Sequence, residues 1–380
     1  MVVSNADSDL SVGHIAPLAY ETPYFVFSER RIRARIAEFS RHLPQATIHY
    51  ALKANSDPAI LRLIRDAGCG FEAASKYELD LLRNVGVPPD RIIYGTSVKP
   101  ASHIRAFFNY GVDRFACDSR SELEKIAANA PGARIYVRLA VDDAGSVFKF
   151  SEKFGADRAT AVSLLTGAAA LGLRPYGLSF HVGSQCRNHR AWANALSTVQ
   201  DVVASLSSAN IKLEIINLGG GFPCQYASPE SVPCVAAITK EITEQYRQLP
   251  YQPSLIIEPG RAIVAEAGVV VASVIARVPR RDTTWLFLDA GVYNGLFEAM
   301  AYQGSTRYVI ESLRPVATAG EALFALAGPT GDSPDVITRE ALLPADVDVG
   351  DRLIVRNAGA YSLSVTTDFN GFPKPPVYLV

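Results

Sequence analysis

The chain lacks the marks of a protein that works on a polyanion, in a membrane or with a metal. Its 37 Lys and Arg stand against 38 Asp and Glu, a net charge of −1, so no cationic excess points to nucleic acid. No apolar run reaches the roughly 20 residues that a membrane-crossing helix needs. Residues 1–16 are polar and acidic, without the basic and then apolar segments of a secretory signal, and the expectation is a cytoplasmic protein. Cys69, Cys117, Cys186, Cys224 and Cys234 are odd in number and scattered, which favours a reducing compartment over a disulfide framework. With the six histidines they make no CxxC or HxxxH spacing, so no metal site is expected.

What is present is an ordinary globular mixture, 48% hydrophobic and 20% charged, with material for a sizeable core. The 380 residues suit about two to three domains. From about residue 30 to 262, short apolar runs alternate with amphipathic stretches. The pattern predicts strands at 46–52, 70–73, 92–94, 114–116, 134–139, 177–181, 215–218 and 254–257. Helical patterns lie between them at 58–67, 75–85, 119–128, 159–171 and 190–207. Eight such alternations predict an α/β fold with a parallel (β/α)8 TIM-type barrel, although an open doubly wound sheet has the same local signature. After residue 263 the chain turns β-rich, with Gly, Pro, Asp and Asn turns, and predicts a mainly antiparallel β domain. The run 24–27 reads as an added strand of that domain. The expected division is a barrel over 27–262 and a β domain built from 1–26 plus 263–380.

Catalytic groups of a barrel gather at the C-terminal ends of its strands. Those predicted ends carry Lys53, Glu72, Arg138, His181, Gly219-Gly220-Gly221 and Glu258-Pro259-Gly260-Arg261. A lone strand-end lysine is ordinarily a snorkelling side chain, and a lone triple glycine a flexible turn; six such ends together are poorly explained that way. Glycines without Cβ let several backbone N–H groups approach an anion, and Arg261 adds a charge-assisted contact. A partly desolvated lysine is a nucleophilic amine toward an aldehyde. Phosphate plus reactive lysine suggests pyridoxal 5′-phosphate (PLP).

The segments "YALKAN" (50–55), "SFHVGSQ" (179–185), "GGGFP" (219–223), "EPGR" (258–261), "GPTGD" (328–332) and "NAGAY…FNGF" (357–372) follow in order. Together they resemble the motif series of the fold-type III PLP-dependent decarboxylases, the ornithine, lysine, arginine and diaminopimelate enzymes related to alanine racemase. The resemblance runs from about residue 20 to the C-terminus. It implies an alanine racemase-like barrel followed by a β domain, in a homodimer with active sites at the interface. It implies that Lys53 holds PLP as a Schiff base, His181 stacks on the ring and Glu258 pairs with the ring nitrogen. Ser184, Gly219, Gly220, Gly221, Gly260, Arg261 and Tyr361 would surround the phosphate, with Glu72 near the Schiff base and Arg138 near the cofactor. Asp332 would enter from the partner subunit to meet the distal end of an amino-acid substrate. The structural alternatives are a core histidine for His181, a helix N-terminal acid for Glu72 and an ion pair for Arg138. For Asp332 the alternative is a turn residue, for Tyr361 a packing aromatic.

Two departures qualify the implied activity. Gly331 stands where the family motif has a cysteine, its catalytic acid. Ala301, Tyr302 and Gln303 occupy the neighbourhood of an acidic residue that binds the terminal amine in ornithine- and lysine-specific relatives. The reading is a decarboxylase of an ornithine- or lysine-like L-amino acid, or of a modified, longer or carrier-protein-tethered one. Alternatives are a PLP racemase and a non-enzymatic regulatory homologue. Glu258 favours decarboxylation, because a carboxylate at the ring nitrogen strengthens the electron sink.

Overall fold

The structure is a computed structural model that describes residues 9–228, 230–301, 307–314 and 320–380. The chain divides into two compact units, one made of Arg33–Pro223 with Val232–Ala262, the other of the remaining described residues.

In the first unit eight parallel strands follow one another round a closed barrel: Ala46–Ala51, Gly70–Ala73, Ile92–Tyr94, Arg114–Cys117, Arg134–Arg138, Arg174–Ser179, Ile215–Asn217 and Ser254–Ile257. Closure comes from Leu255 pairing with Ala46 and Ile257 with Ile48, which rules out the open doubly wound sheet. The strands are rich in Ile, Phe, Val and Tyr, which suit a pleated surface, and most are buried because both faces of a parallel barrel are covered. Inside the ring Ile93, Ala116, Tyr136, Tyr176, Ile215 and Ile256 form a core cluster. Helix Pro58–Asp66 starts at Asp57, whose carboxylate accepts from the Ala59 N–H at 2.8 Å, and Pro58 sits where a missing N–H costs nothing. Ser75 caps Lys76–Asn84 by accepting from the Glu78 N–H at 3.2 Å. These caps fix where each loop above a strand end gives way to helix. A small antiparallel pair, Ser146–Phe148 with Ser184–Cys186, joins two of the loops and had no signal in the alternation pattern.

In the second unit Gly268–Arg280 pairs antiparallel with Tyr24–Phe27, Arg352–Val355 and Thr283–Leu288. Ile310–Ser312, Glu321–Ala327 and Val336–Pro344 extend the sheet. The expected antiparallel character holds for most pairs, but Tyr24–Phe27 runs parallel to Val377–Leu379 and Thr283–Leu288 parallel to Glu321–Ala327. Val336–Pro344 escaped prediction because Arg339 and Glu340 interrupt its apolar pattern, as charges do on edge strands. Leu10, Ile15, Tyr24, Val26, Val269 and Ile354 belong to this unit's core. Among the described residues no helix is long and apolar enough to cross a membrane.

Candidate active site

The C-terminal strand ends of the barrel enclose a cleft of about 250 Å³. Lys53 lines it from the turn Leu52–Ala54, just past its strand, and Glu72 from within Gly70–Ala73. Arg138 comes from the last position of Arg134–Arg138, His181 from two residues beyond Arg174–Ser179, and Glu258 from directly after Ser254–Ile257. Five of the predicted residues therefore share one cleft.

Lys53 Nζ lies 2.9 Å from Glu72 Oε2; the carboxylate side chain is 3% exposed and the lysine's 44%. The lysine is partly desolvated and ion-paired. Gly95 makes room for this carboxylate, since a Cβ there would fall 2.6 Å from Glu72 Cγ and Oε1. Glu258 Oε1 accepts from Asn217 Nδ2 at 2.6 Å, while Asn217 Oδ1 accepts from the Gly219 N–H at 2.9 Å. Burial, and after it the charge of Glu72, pushes the Glu258 carboxyl up to about 7. Burial, and again Glu72, also raises Glu78 to about 7; its Oε2 accepts from the N–H of Ala74, another cleft residue.

His181 is held neutral, because burial first and the charges of Arg138 and Lys53 next drive its pKa well below the ordinary range. Its Nδ1 accepts from the Gly183 N–H at 3.0 Å, which leaves the ring proton on Nε2. Phe150 meets the imidazole edge-on at 5.0 Å between centroids. The Arg138 guanidinium lies 5.1 Å from the Phe154 ring centroid, and burial lowers its pKa. Tyr136 and Ser97 also line the cleft, with buried hydroxyls that have no hydrogen-bond partner among the described residues.

Beside this cleft the glycine segment is packed too closely for side chains. Gly219 and Gly221 adopt φ of +64° and +93°, and Cβ atoms there would come within 2.2 Å of Phe180 O and 2.4 Å of Gly183 O. At Gly220 a Cβ would sit 2.7 Å from Glu258 O and 3.3 Å from His181 Nε2. A Cβ at Gly260 would fall 2.8 Å from Ala54 Cβ, and Arg261 Nη2 donates to Ser184 Oγ at 3.4 Å. Asp332 and Tyr361 belong to the other compact unit. There the Tyr293 hydroxyl donates to the exposed Asp332, and Tyr361 adopts φ of +51°. Tyr302 and Gln303 lie outside the described residues.

Sequence reasoning missed Asn217, Gly95, Tyr136, Phe150 and Phe154. Asn217 offered one signal, its place just before the triple glycine; the two phenylalanines sit in a loop without strand or helix period. Among the described residues no three His, Cys, Asp or Glu side chains gather as a metal site.

Residues 29–265 match the family model described as the pyridoxal-dependent decarboxylase, pyridoxal binding domain. The chain belongs to this family. It is 33% identical over 358 residues to a lysine/ornithine decarboxylase of Selenomonas ruminantium, covering 94% of this chain and 89% of that one. It is also 31% identical over 367 residues to an antizyme inhibitor 2 of Xenopus laevis, covering 93% and 80%. Among solved structures it resembles a lysine/ornithine decarboxylase of Vibrio vulnificus complexed with putrescine, with a TM-score of 0.89, 31% identity and coverage of 98% and 99%. The residues present fit pyridoxal phosphate. Glycines that admit no Cβ, a buried arginine and a hydroxyl suit a phosphate. An amine, a neutral imidazole and a carboxyl poised near 7 suit an aldehyde on a nitrogen heterocycle.

Proposed function

We propose that this protein decarboxylates a basic L-amino acid with pyridoxal phosphate held by Lys53. The observation that carries the reading is Glu258, fixed by Asn217 and poised near 7 in the same cleft as Lys53 and a neutral His181. When bound, the cofactor supplies an electron sink for the pair left as a bond at Cα breaks. Glu258 would hold a proton for the ring nitrogen, its carboxyl fixed by Asn217 through Oε1. Glu72, 2.9 Å away, takes the proton that Lys53 Nζ must give up before it can act as a nucleophile. His181 covers one ring face without adding positive charge. Ser184, Gly219, Gly220, Gly221, Gly260, Arg261 and Tyr361 bind the phosphate, and Arg138 stands beside the cofactor. Asp332, brought by the second subunit of a homodimer, pairs with the substrate's distal amine. With Gly331 carrying no acid, water, Lys53 Nζ or another group would have to supply the proton that replaces CO2.

A second reading, a longer or carrier-linked amino acid, rests on the sequence, where Ala301, Tyr302 and Gln303 stand in the neighbourhood of the acidic residue that ornithine- and lysine-specific relatives carry. Both readings are tested with cofactor-loaded protein, L- and D-amino acids (acylated and carrier-linked ones included), D2O, and mass spectrometry of CO2 and product. The expected result is CO2 from an L-substrate and one deuterium at Cα of the amine. Deuterium at Cα without CO2 would replace the proposal with racemisation. Cofactor bound with neither outcome would favour the non-enzymatic homologue.

A further inference from the structure

The opposite, N-terminal mouth of the barrel opens on a second cavity, of about 330 Å³. His49, 3% exposed, lines it, and neither ring nitrogen has a hydrogen-bond partner among the described residues. Arg114, 8% exposed, lines it too; its Nη2 donates to the carbonyls of Asp90 and Ile92, while its Nε has no partner. Arg91, the second cationic lining residue, donates through Nε to Cys69 O at 3.0 Å and through Nη2 to Arg65 O at 2.7 Å. Neither Arg91 nor Arg114 forms a salt bridge among the described residues. The acids of the cavity, Asp90 and Glu214, are exposed, and Glu214 is paired with Arg174 at 3.8 Å. Gly70 exposes the imidazole to the cavity, since a Cβ there would fall 2.7 Å from His49 Cδ2 and 2.8 Å from Nε2.

The deep end of this cavity therefore holds two guanidinium groups met by backbone carbonyls, with the cavity's two carboxylates exposed, next to a histidine whose ring nitrogens make no well-formed hydrogen bond among the described residues. Buried polar groups without partners cost free energy, and uncompensated charges more so. An anion removes both costs at once. We propose that the N-terminal mouth is a binding site for a small oxyanion, phosphate or a short carboxylate, which accepts from Arg114 Nε and from the N–H of His49. The burial of His49, then the charge of Arg114 and, less, that of Arg91, hold its pKa down to about 3 against the opposing pull of the Thr47 backbone, in keeping with a positive field on the ring's side. The site is separate from the cleft, which lies at the other ends of the same strands.

The test is an NMR titration of cofactor-loaded, dialysed protein with inorganic phosphate and with acetate, following the imidazole nitrogens. The His49 signal, identified by its loss in His49→Gln, is expected to move saturably while the cofactor's absorbance stays constant. Arg114→Gln is expected to weaken the apparent affinity about tenfold or more, the size of one charge-assisted hydrogen bond. Should that variant not fold, His49→Gln, read by calorimetry, serves in its place with a smaller expected loss. A His49 signal that moves with neither anion overturns the proposal. So does unchanged affinity in the variants, or movement that tracks a change in cofactor absorbance, which would assign the anion to the cleft.

Discussion

The two mouths of the barrel are built from the same eight strands and treat charge in opposite ways. At the C-terminal mouth two of the ionisable groups come with side-chain counterparts: Lys53 with Glu72, Glu258 with Asn217. At the N-terminal mouth Arg91 and Arg114 meet backbone carbonyls, and the His49 ring nitrogens make no well-formed hydrogen bond among the described residues. Side-chain counterparts can exchange a proton or swap one partner for another. Backbone carbonyls can only orient a cation. The first arrangement suits chemistry, and the second suits holding something whose charge is already set, consistent with the catalytic use of the C-terminal face in barrels.

The largest effect should come from the cleft. Lys53→Ala is expected to lower decarboxylation by about three orders of magnitude or more, with loss of the cofactor's absorbance near ~420 nm. Arg114→Gln, at the other mouth, should keep that band. A Lys53→Ala protein that retains the band would break the contrast, since the reactive amine would then lie elsewhere.

Glu258→Gln sharpens it further through pH. The folded-state carboxyl is raised, to about 7 from an ordinary 4.5, so between those values the folded protein binds more protons than the unfolded. The native carboxyl is most favourable below about pH 4.5, and its contribution is lost as pH climbs toward 7. A glutamine does not ionise. Thermal or urea unfolding of the cofactor-free variant should therefore show a gain over the parent that grows from pH 5 to pH 8, on the order of 1–3 kcal/mol. A gain independent of pH would mean that Glu258 is already ionised in the folded chain and that its partners, not burial, dominate.

Much of the cleft was legible in the sequence because a barrel converts strand ends into neighbours. Lys53, Glu72, Arg138, His181 and Glu258 stood at predicted strand ends, and the fold alone brings such ends together. The glycine segment was legible for a related reason, since three residues without Cβ announce a close approach. What stayed hidden depends on contacts that no period encodes. Asn217 matters through two hydrogen bonds to residues outside its strand. Gly95 matters because a carboxylate from the neighbouring strand passes over it. The N-terminal mouth was illegible for the same reason. His49 directly precedes the motif whose lysine drew the reading, yet nothing in the linear sequence shows that its ring faces two arginines that form no salt bridge among the described residues.

The smallest expected effect tests whether the two mouths are independent. In Gly70→Ala the new Cβ would meet the His49 ring at 2.7 Å and the Arg91 carbonyl oxygen at 2.9 Å. Overpacking of this kind costs about 1–3 kcal/mol, measurable as a lower urea midpoint with unchanged slope. Adding His49→Ala removes the ring but leaves the carbonyl, so the double variant should recover part of the loss, and the non-additivity measures the ring contact. Decarboxylation per folded molecule should be unchanged in both, because Gly70 starts its strand and Glu72 reaches the cleft from two residues further on. A fall in activity without a fall in stability would show that Gly70 moves Glu72, and the two mouths would have to be read as one site.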